Sequence, residues 1–169
     1  GEFYNLSLLP DAWKPRSHEF GEIKVDISSV GPLMNRVAGQ VADGVHVHPM
    51  HSMHYVQHRL LPEIEEGALL ASRRSADVDL IVPVFAVAGD TPEERAPWVN
   101  RTKTQIAFYG TTPNYAFQFE DLGFEGVTTA LRDKMAAGDL QGMADTISDE
   151  MLDHFALVST WDEMADRLK

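Results

Sequence analysis

The chain has 169 residues, 44% of them hydrophobic, enough to bury one core of ordinary size, and its composition carries no low-complexity, collagen-like or disordered bias. Set against 26 acidic residues, 14 basic ones leave a formal net charge of −12, which opposes nucleic acid and the anionic face of a membrane as partners. Cysteine is absent, so disulfides, thiolate metal sites and cysteine nucleophiles are excluded together, and a cytoplasmic location is the default expectation.

The start, Gly1-Glu2-Phe3-Tyr4, has neither an initiator methionine nor a basic-then-apolar signal pattern and reads as a cut through a longer chain. Residues 1–22, with Pro10, Pro15 and Gly21, lack periodicity and read as an incoming loop. Ile23 to Val30 is rich in β-branched residues and reads as a strand ending at Gly31. Pro32 then suits a first helical turn, and Leu33, Val37 and Val41 repeat at helical spacing to about Ala42. Asp43-Gly44 breaks that helix, and Val45-His46-Val47-His48 alternates as a second strand before Pro49.

From Ser52 to Ser72, Tyr55, Val56, Leu60, Ile64 and Leu69 form one helical stripe. Val78 to Ala88 reads as a third strand, buried on both faces as in parallel sheets. Its apolar part, interrupted by Pro83, is far shorter than the roughly 20 residues of a membrane helix. Thr91-Pro92-Glu93-Glu94 is a capping box opening a helix through about Tyr109. Such alternation marks an α/β fold with a parallel sheet. Residues 110–154 then read as a helical insertion, with helices over Val127–Ala137 and Leu140–His154. The apolar run Phe155–Val158 follows, and a second capping box, Thr160-Trp161-Asp162-Glu163, starts a last helix.

Three segments carry candidate chemistry. Ser28-Ser29-Val30-Gly31-Pro32 turns a strand end into a helix N-terminus, where free N–H groups and the helix dipole favour an anion such as phosphate. The alternative is a tight turn that needs glycine for its backbone angles, and the segment is neither a GxGxxG fingerprint nor a P-loop. The histidines His46, His48, His51, His54 and His58 form the second segment. His46 and His48 share a strand face, as in a metal-binding pair, but no acidic residue falls between Gly44 and His58. Placed at the mouth of a parallel strand, His48 and His51 are substrate-side candidates that can hold an anion or move a proton. The third, Gln105 to Tyr115, either lines a pocket with its tyrosines or packs a helix through Ile106 and Phe108. No serine sits in a nucleophile elbow, and no Ser-His-Asp arrangement is evident.

The run Ile27-Ser28-Ser29-Val30-Gly31-Pro32 through Ala38-Gly39 and Ala42-Asp43-Gly44 to Pro49 resembles the luciferase-like monooxygenase superfamily, in the branch that uses coenzyme F420. Pro83–Val87, Gln105–Gly110 and Asp149–Asp153 look like that branch in the same order. The resemblance implies a (β/α)₈ TIM barrel of which this chain, a single incomplete domain, supplies strands five to seven; the first four strands, and an eighth expected beyond Trp161, are missing. It also implies cofactor phosphate binding by backbone groups of Ser29, Val30, Gly31, Gly44 and Val45; the chain's own acidity opposes a polyanionic tail and leaves local groups such as Arg36 or Arg59 to compensate. Asp26 and Ser28 depart from the aliphatic or alanine residues usual there.

The resemblance implies an oxidoreductase moving a hydride between F420 and a small organic substrate, inactive as an isolated fragment, its full-length parent a homodimer. An FMN-dependent monooxygenase, a non-catalytic fragment needing the missing barrel half, and a metal-dependent hydrolase using His46 and His48 are the alternatives. The catalytic residues themselves are not identified.

Overall fold

A computed structural model describes residues 2, 3, 7, 8, 10–13, 21 and 23–169. Much of the loop expected over residues 1–22 lies outside the described residues; one 3₁₀ turn, Asp11–Trp13, falls within them.

Three short strands, β1 (Asp26–Ser29), β2 (Gly44–Val47) and β3 (Asp79–Ile81), form a parallel sheet in that order. The connection from β1 to β2 is α1 (Pro32–Val41). From β2 to β3 the chain passes through α2 (Met53–Tyr55), a π-helical turn (Val56–Leu60) and α3 (Leu61–Leu70). The long helix expected over Ser52–Ser72 thus contains one wider turn, a feature often found near functional sites.

Period-two alternation sorts the strand residues between two faces. Ile27, Val45, Val47 and Leu80 pack with Ala38, Ala42, Leu60 and Ile64 of the helical layer. Asp26, Ser28, His46 and Ile81 are exposed. The polar residues that break the family pattern in β1 therefore stand on the face turned away from the helices. There Asp26 Oδ2 lies 3.2 Å from His46 Nε2 on the neighbouring strand.

The close packing of α1 on α3 comes from small residues. A Cβ on Gly39 would lie 2.1 Å from the Ile64 carbonyl oxygen, and one on Gly67 would lie 2.0 Å from that of Arg36. Two helices in such backbone contact admit no larger residue at either position.

The third strand is the main departure from the sequence reading. Val78–Ala88 is not one strand buried on both faces. It divides at Pro83 into β3 and β4 (Phe85–Ala88), which belong to different sheets, with Ile81, Val82 and Val84 exposed. Proline has no N–H to give to a ladder, so the break falls where pairing must stop.

The partner of β4 is β5 (Ala156–Ser159), parallel to it and built from the apolar run after the helices. A strand thus forms before the Trp161 helix, whereas the sequence reading placed the next strand beyond it. Between them run α4 (Pro92–Gly110), α5 (Phe117–Glu120), α6 (Val127–Ala136), α7 (Leu140–Thr146) and α8 (Asp149–Phe155), and α9 (Trp161–Arg167) follows β5. The helix expected over Leu140–His154 is two helices, because Ile147 is extended and Ser148 caps a fresh start, its hydroxyl accepting the Met151 N–H at 3.1 Å.

Both threonines cap their helices, but neither glutamate returns the bond to the cap's own N–H: Thr91 accepts the Glu94 N–H while Glu94 accepts from the Asp90 N–H at 2.8 Å, and Thr160 accepts the Glu163 N–H while Glu163 accepts from the Thr160 and Ser159 hydroxyls. A second core gathers here, with Ile106, Phe119, Leu131, Ile147, Leu152 and Phe155 buried together. Among the described residues no helix is long and apolar enough to cross a membrane.

Candidate functional site

The C-terminal ends of β1 and β2 open onto a cleft of about 800 Å³. Ser28 to Pro32 and Met34 form one wall, His46 to Pro49 a second, and Pro83, Asn114, Tyr115 and Phe117 close the rest. Ser29, Val30, Gly31 and His48, four of the residues singled out from the sequence, are therefore together.

Gly31 is the N-cap of α1, and no side chain caps that end. Pro32 lacks an N–H, the Asn35 N–H bonds to the Gly31 carbonyl at 3.0 Å, and the first-turn donors between them have no acceptor within the helix. The glycine is not there for its backbone angles. Its φ of −93° and ψ of 161° suit any residue, and a Cβ would meet nothing within 4 Å. The turn itself makes no demand for glycine, and the space above its Cα is open to the cleft. Next to it, Ser29 is buried and its hydroxyl has no hydrogen-bond partner among the described residues.

The Val30 carbonyl is held from behind. Tyr55 Oη donates to it at 2.7 Å, and Asn35 Nδ2 lies 3.4 Å from it, 3.2 Å from Tyr55 Oη and 2.7 Å from Glu63 Oε2. Tyr55 and Asn35 are both buried. Burial pushes the Tyr55 hydroxyl up to about 12, so it remains a donor across the physiological range. Sequence reasoning found Tyr55 only as part of a helical stripe and passed over Asn35.

His48 is half-buried in the second wall. Its Nδ1 accepts the Met50 N–H at 3.1 Å, which leaves the proton of the neutral ring on Nε2. Tyr109 meets the ring edge-on and Tyr115 at a tilt, both with centroids 4.7 Å away. Burial lowers the His48 pKa from its ordinary value, with the neighbouring His51 adding to the effect.

His51 does not join it in the cleft. It is a buried residue whose Nδ1 donates to the His48 carbonyl at 2.8 Å, and burial lowers its pKa also. It braces the turn after β2 and does not line the cleft. His54 and His58 stack on each other at 4.3 Å on the exposed side of their helix.

Gly44 and Val45 lie at the opposite end of β2 and do not line the cleft. Val45 is fully buried in the helical core, and a Cβ on Gly44 would lie 2.6 Å from Asp26 Oδ1. Arg36 and Arg59 are not turned to it either: Arg36 Nε bonds to Glu66 at 2.6 Å, and Arg59 makes a two-pronged pair with Asp121 while covering the Phe117 ring. That pair ties the π-helical turn to α5, which carries Phe117 into the cleft wall.

The Gln105–Tyr115 segment serves both of the roles weighed for it. Ile106 packs the core while Asn114 and Tyr115 line the cleft, but Phe108, expected to pack, is 59% exposed. His46, Ser28 and Asp26 share a sheet face, yet His46 bonds to Asp26 and no hydrogen bond joins it to Ser28. Among the described residues no three histidine or carboxylate side chains gather as a metal site would require.

The chain is 31% identical over 169 residues to an uncharacterized protein of Mycobacterium tuberculosis, covering all of this chain and 50% of that protein. It is 24% identical over 170 residues to the 5,10-methylenetetrahydromethanopterin reductase of Archaeoglobus fulgidus, covering 99% of this chain and 49% of the reductase. The chain thus spans about half the length of the curated relatives it matches.

Among solved structures, the coenzyme F420 dependent tetrahydromethanopterin reductase from Methanopyrus kandleri superposes with a TM-score of 0.69 at 22% identity, over 86% of this chain and 41% of that one, which establishes the shared α/β fold. The luciferase-like monooxygenase family matches residues 1–169 throughout. On that match, the chain belongs to the luciferase-like monooxygenase family.

Proposed function

We propose that this chain carries the phosphate-holding wall of an F420 site in an oxidoreductase that moves a hydride between F420 and a small organic substrate. The observation that carries the reading is Gly31: an uncapped helix N-terminus whose glycine answers no need of the chain, beside a cleft large enough for a flat ring system. Beside it, Ser29 lines the cleft and carries a buried hydroxyl without a hydrogen-bond partner among the described residues. In this reading Ser29, Val30 and Gly31 hold the phosphate, and Gly44 and Val45, implicated by resemblance, take no part in it.

The fit relies on neutral donors. Arg36 and Arg59 are engaged by Glu66 and Asp121, so backbone N–H groups and the α1 dipole must hold the anion in a chain of net charge −12. Bound there, the deazaflavin would supply the hydride chemistry, and the protein's share is to place and shield it. His48, with its proton on Nε2 and its ring flanked by two tyrosines, is the substrate-side donor in this reading.

Strands β1, β2 and the bent β3–β4 segment would be the fifth to seventh of a (β/α)₈ barrel, with β5 taking the eighth place. The relatives' doubled length supports a parent that provides the remaining strands. Titrating the chain, and the same chain extended to its relatives' length, with F420 and with FMN while following cofactor fluorescence tests the reading. Saturable F420 binding by the extended protein is expected, preference for FMN would favour the monooxygenase, and no binding of either refutes the cofactor assignment.

A further inference from the structure

We infer that Tyr55 is a positioning residue of the phosphate wall: its hydroxyl locks the Val30–Gly31 peptide in the orientation that presents the Gly31 N–H to the cleft. The inference rests on the reading that a phosphate binds at Ser29, Val30 and Gly31.

A trans peptide is planar, with its C=O and N–H pointing in opposite directions, and no described peptide bond is cis. The orientation of one group therefore sets the other. The Val30 carbonyl points back into the helical layer, where Tyr55 Oη donates to it at 2.7 Å. The Gly31 N–H must leave on the other side, away from Tyr55. Val30 and Gly31 both line the cleft, and Tyr55 does not.

A strand end that turns into a helix has few constraints on its last peptide, because ladder bonding stops and helical bonding has not begun. The cleft-side residues cannot supply the constraint: Gly31 has no side chain, and Pro32 has no donor. It comes instead from a buried network. Tyr55 is only 2% exposed and Asn35 fully buried, with the Asn35 amide bridging Tyr55 Oη at 3.2 Å and Glu63 Oε2 at 2.7 Å. Glu63 is the partly exposed outer member of this chain. Tyr55 itself follows the Ser52 cap, whose hydroxyl accepts the Tyr55 N–H at 3.1 Å, so the ring is set by the start of the helix after β2. The two walls of the cleft are thereby coupled: the turn that follows β2 fixes the donor that follows β1.

The test is a titration of the ¹⁵N-labelled chain with inorganic phosphate, read at the Gly31 amide by NMR and compared with Tyr55→Phe. The Phe variant keeps the ring and loses only the hydroxyl. Wild type is expected to show a saturable downfield shift of the Gly31 proton, and the Phe variant to need about five to ten times more phosphate, the range of one neutral hydrogen bond.

A merely structural tyrosine would lower the unfolding midpoint and leave phosphate affinity unchanged, and that result overturns the inference while the phosphate reading stands. No saturable shift in wild type overturns the phosphate reading itself. Should Tyr55→Phe fail to fold, Glu63→Gln at the outer end of the network takes its place, with a smaller loss of affinity expected and an unchanged affinity counting against the inference.

Discussion

Gly39 of α1 and Gly67 of α3 each lie against the other helix's backbone, Gly39 on the Ile64 carbonyl and Gly67 on that of Arg36. This reciprocal contact brings the first crossover helix down onto the next and fixes the direction in which α1 starts, and so where Gly31 stands. Gly39→Ala would place its methyl group at 2.1 Å from a backbone oxygen that cannot rotate away. Ordinary overpacking costs about 1–3 kcal/mol, and a backbone clash falls at or above the upper end. Urea unfolding is expected to show that loss, although alanine is intrinsically the better helix former by about 1 kcal/mol. A neutral or stabilising effect would mean that the helices do not touch as described.

Gly31→Ala should behave in the opposite way. With ordinary backbone angles and nothing within 4 Å of the new methyl group, stability is expected to fall by no more than about 1 kcal/mol, the preference of an N-cap for glycine over alanine. Phosphate affinity should fall, because the methyl group occupies the open space over the donor. Parallel measurements of the unfolding midpoint and phosphate binding check the pair of outcomes; an alanine variant that binds as well as wild type removes glycine from the site.

The buried histidines predict how stability varies with pH. His48 and His51 have folded pKa values below the ordinary 6.5, chiefly through burial, so the unfolded chain takes up protons that the folded chain resists. Unfolding is then favoured as pH falls, and stability drops as the pH passes downward through about 6.5 towards the folded values. The contribution is fully present above that pH. In His48→Gln and His51→Gln, each compared with wild type by urea unfolding across this window, the slope with pH should be shallower. An unchanged slope in both variants would place its origin elsewhere.

The elements easiest to foresee were those whose local chemistry is self-contained. Thr91 and Thr160 with their glutamates mark helix starts that form as read, and the strand-helix-strand order through Val47 follows from two glycine-marked breaks. Ser148, followed by two acidic residues, carries the same kind of signal within a stripe whose apolar spacing runs on through it, and the cap prevails over the periodicity. Pro83 carried one too. Apolar content alone made Val78–Ala88 a single buried strand, but proline's missing donor decided where pairing ended.

The site was legible only in part, for a physical reason. Ser29, Val30, Gly31 and His48 are close to one another because they sit at adjacent strand ends, and that follows from parallel pairing. His51 is placed by its proximity to a strand end and Gly44 and Val45 by resemblance, whereas three residues along a turn or a strand suffice to move a group from a cleft to a core. Tyr55 bonds to a residue 25 positions away and Arg59 to one 62 away. No local pattern encodes such pairings, since they arise from how the crossovers pack.

The break at Pro83 divides the buried apolar residues between two cores, and the cleft lies on the seam. Phe117, carried on the α5 side, packs with the core of β1–β3, while Met50, just after β2, packs with the core of β4–β5. Each half holds one hydrophobic residue of the other. Two such cores can open as separate cooperative units, with amide protons exchanging at two distinct rates. A molecule filling the cleft would touch the ends of β1 and β2 together with Asn114, Tyr115 and Phe117, and so would make one unit of them, its binding measurable as exchange slowed in both halves at once.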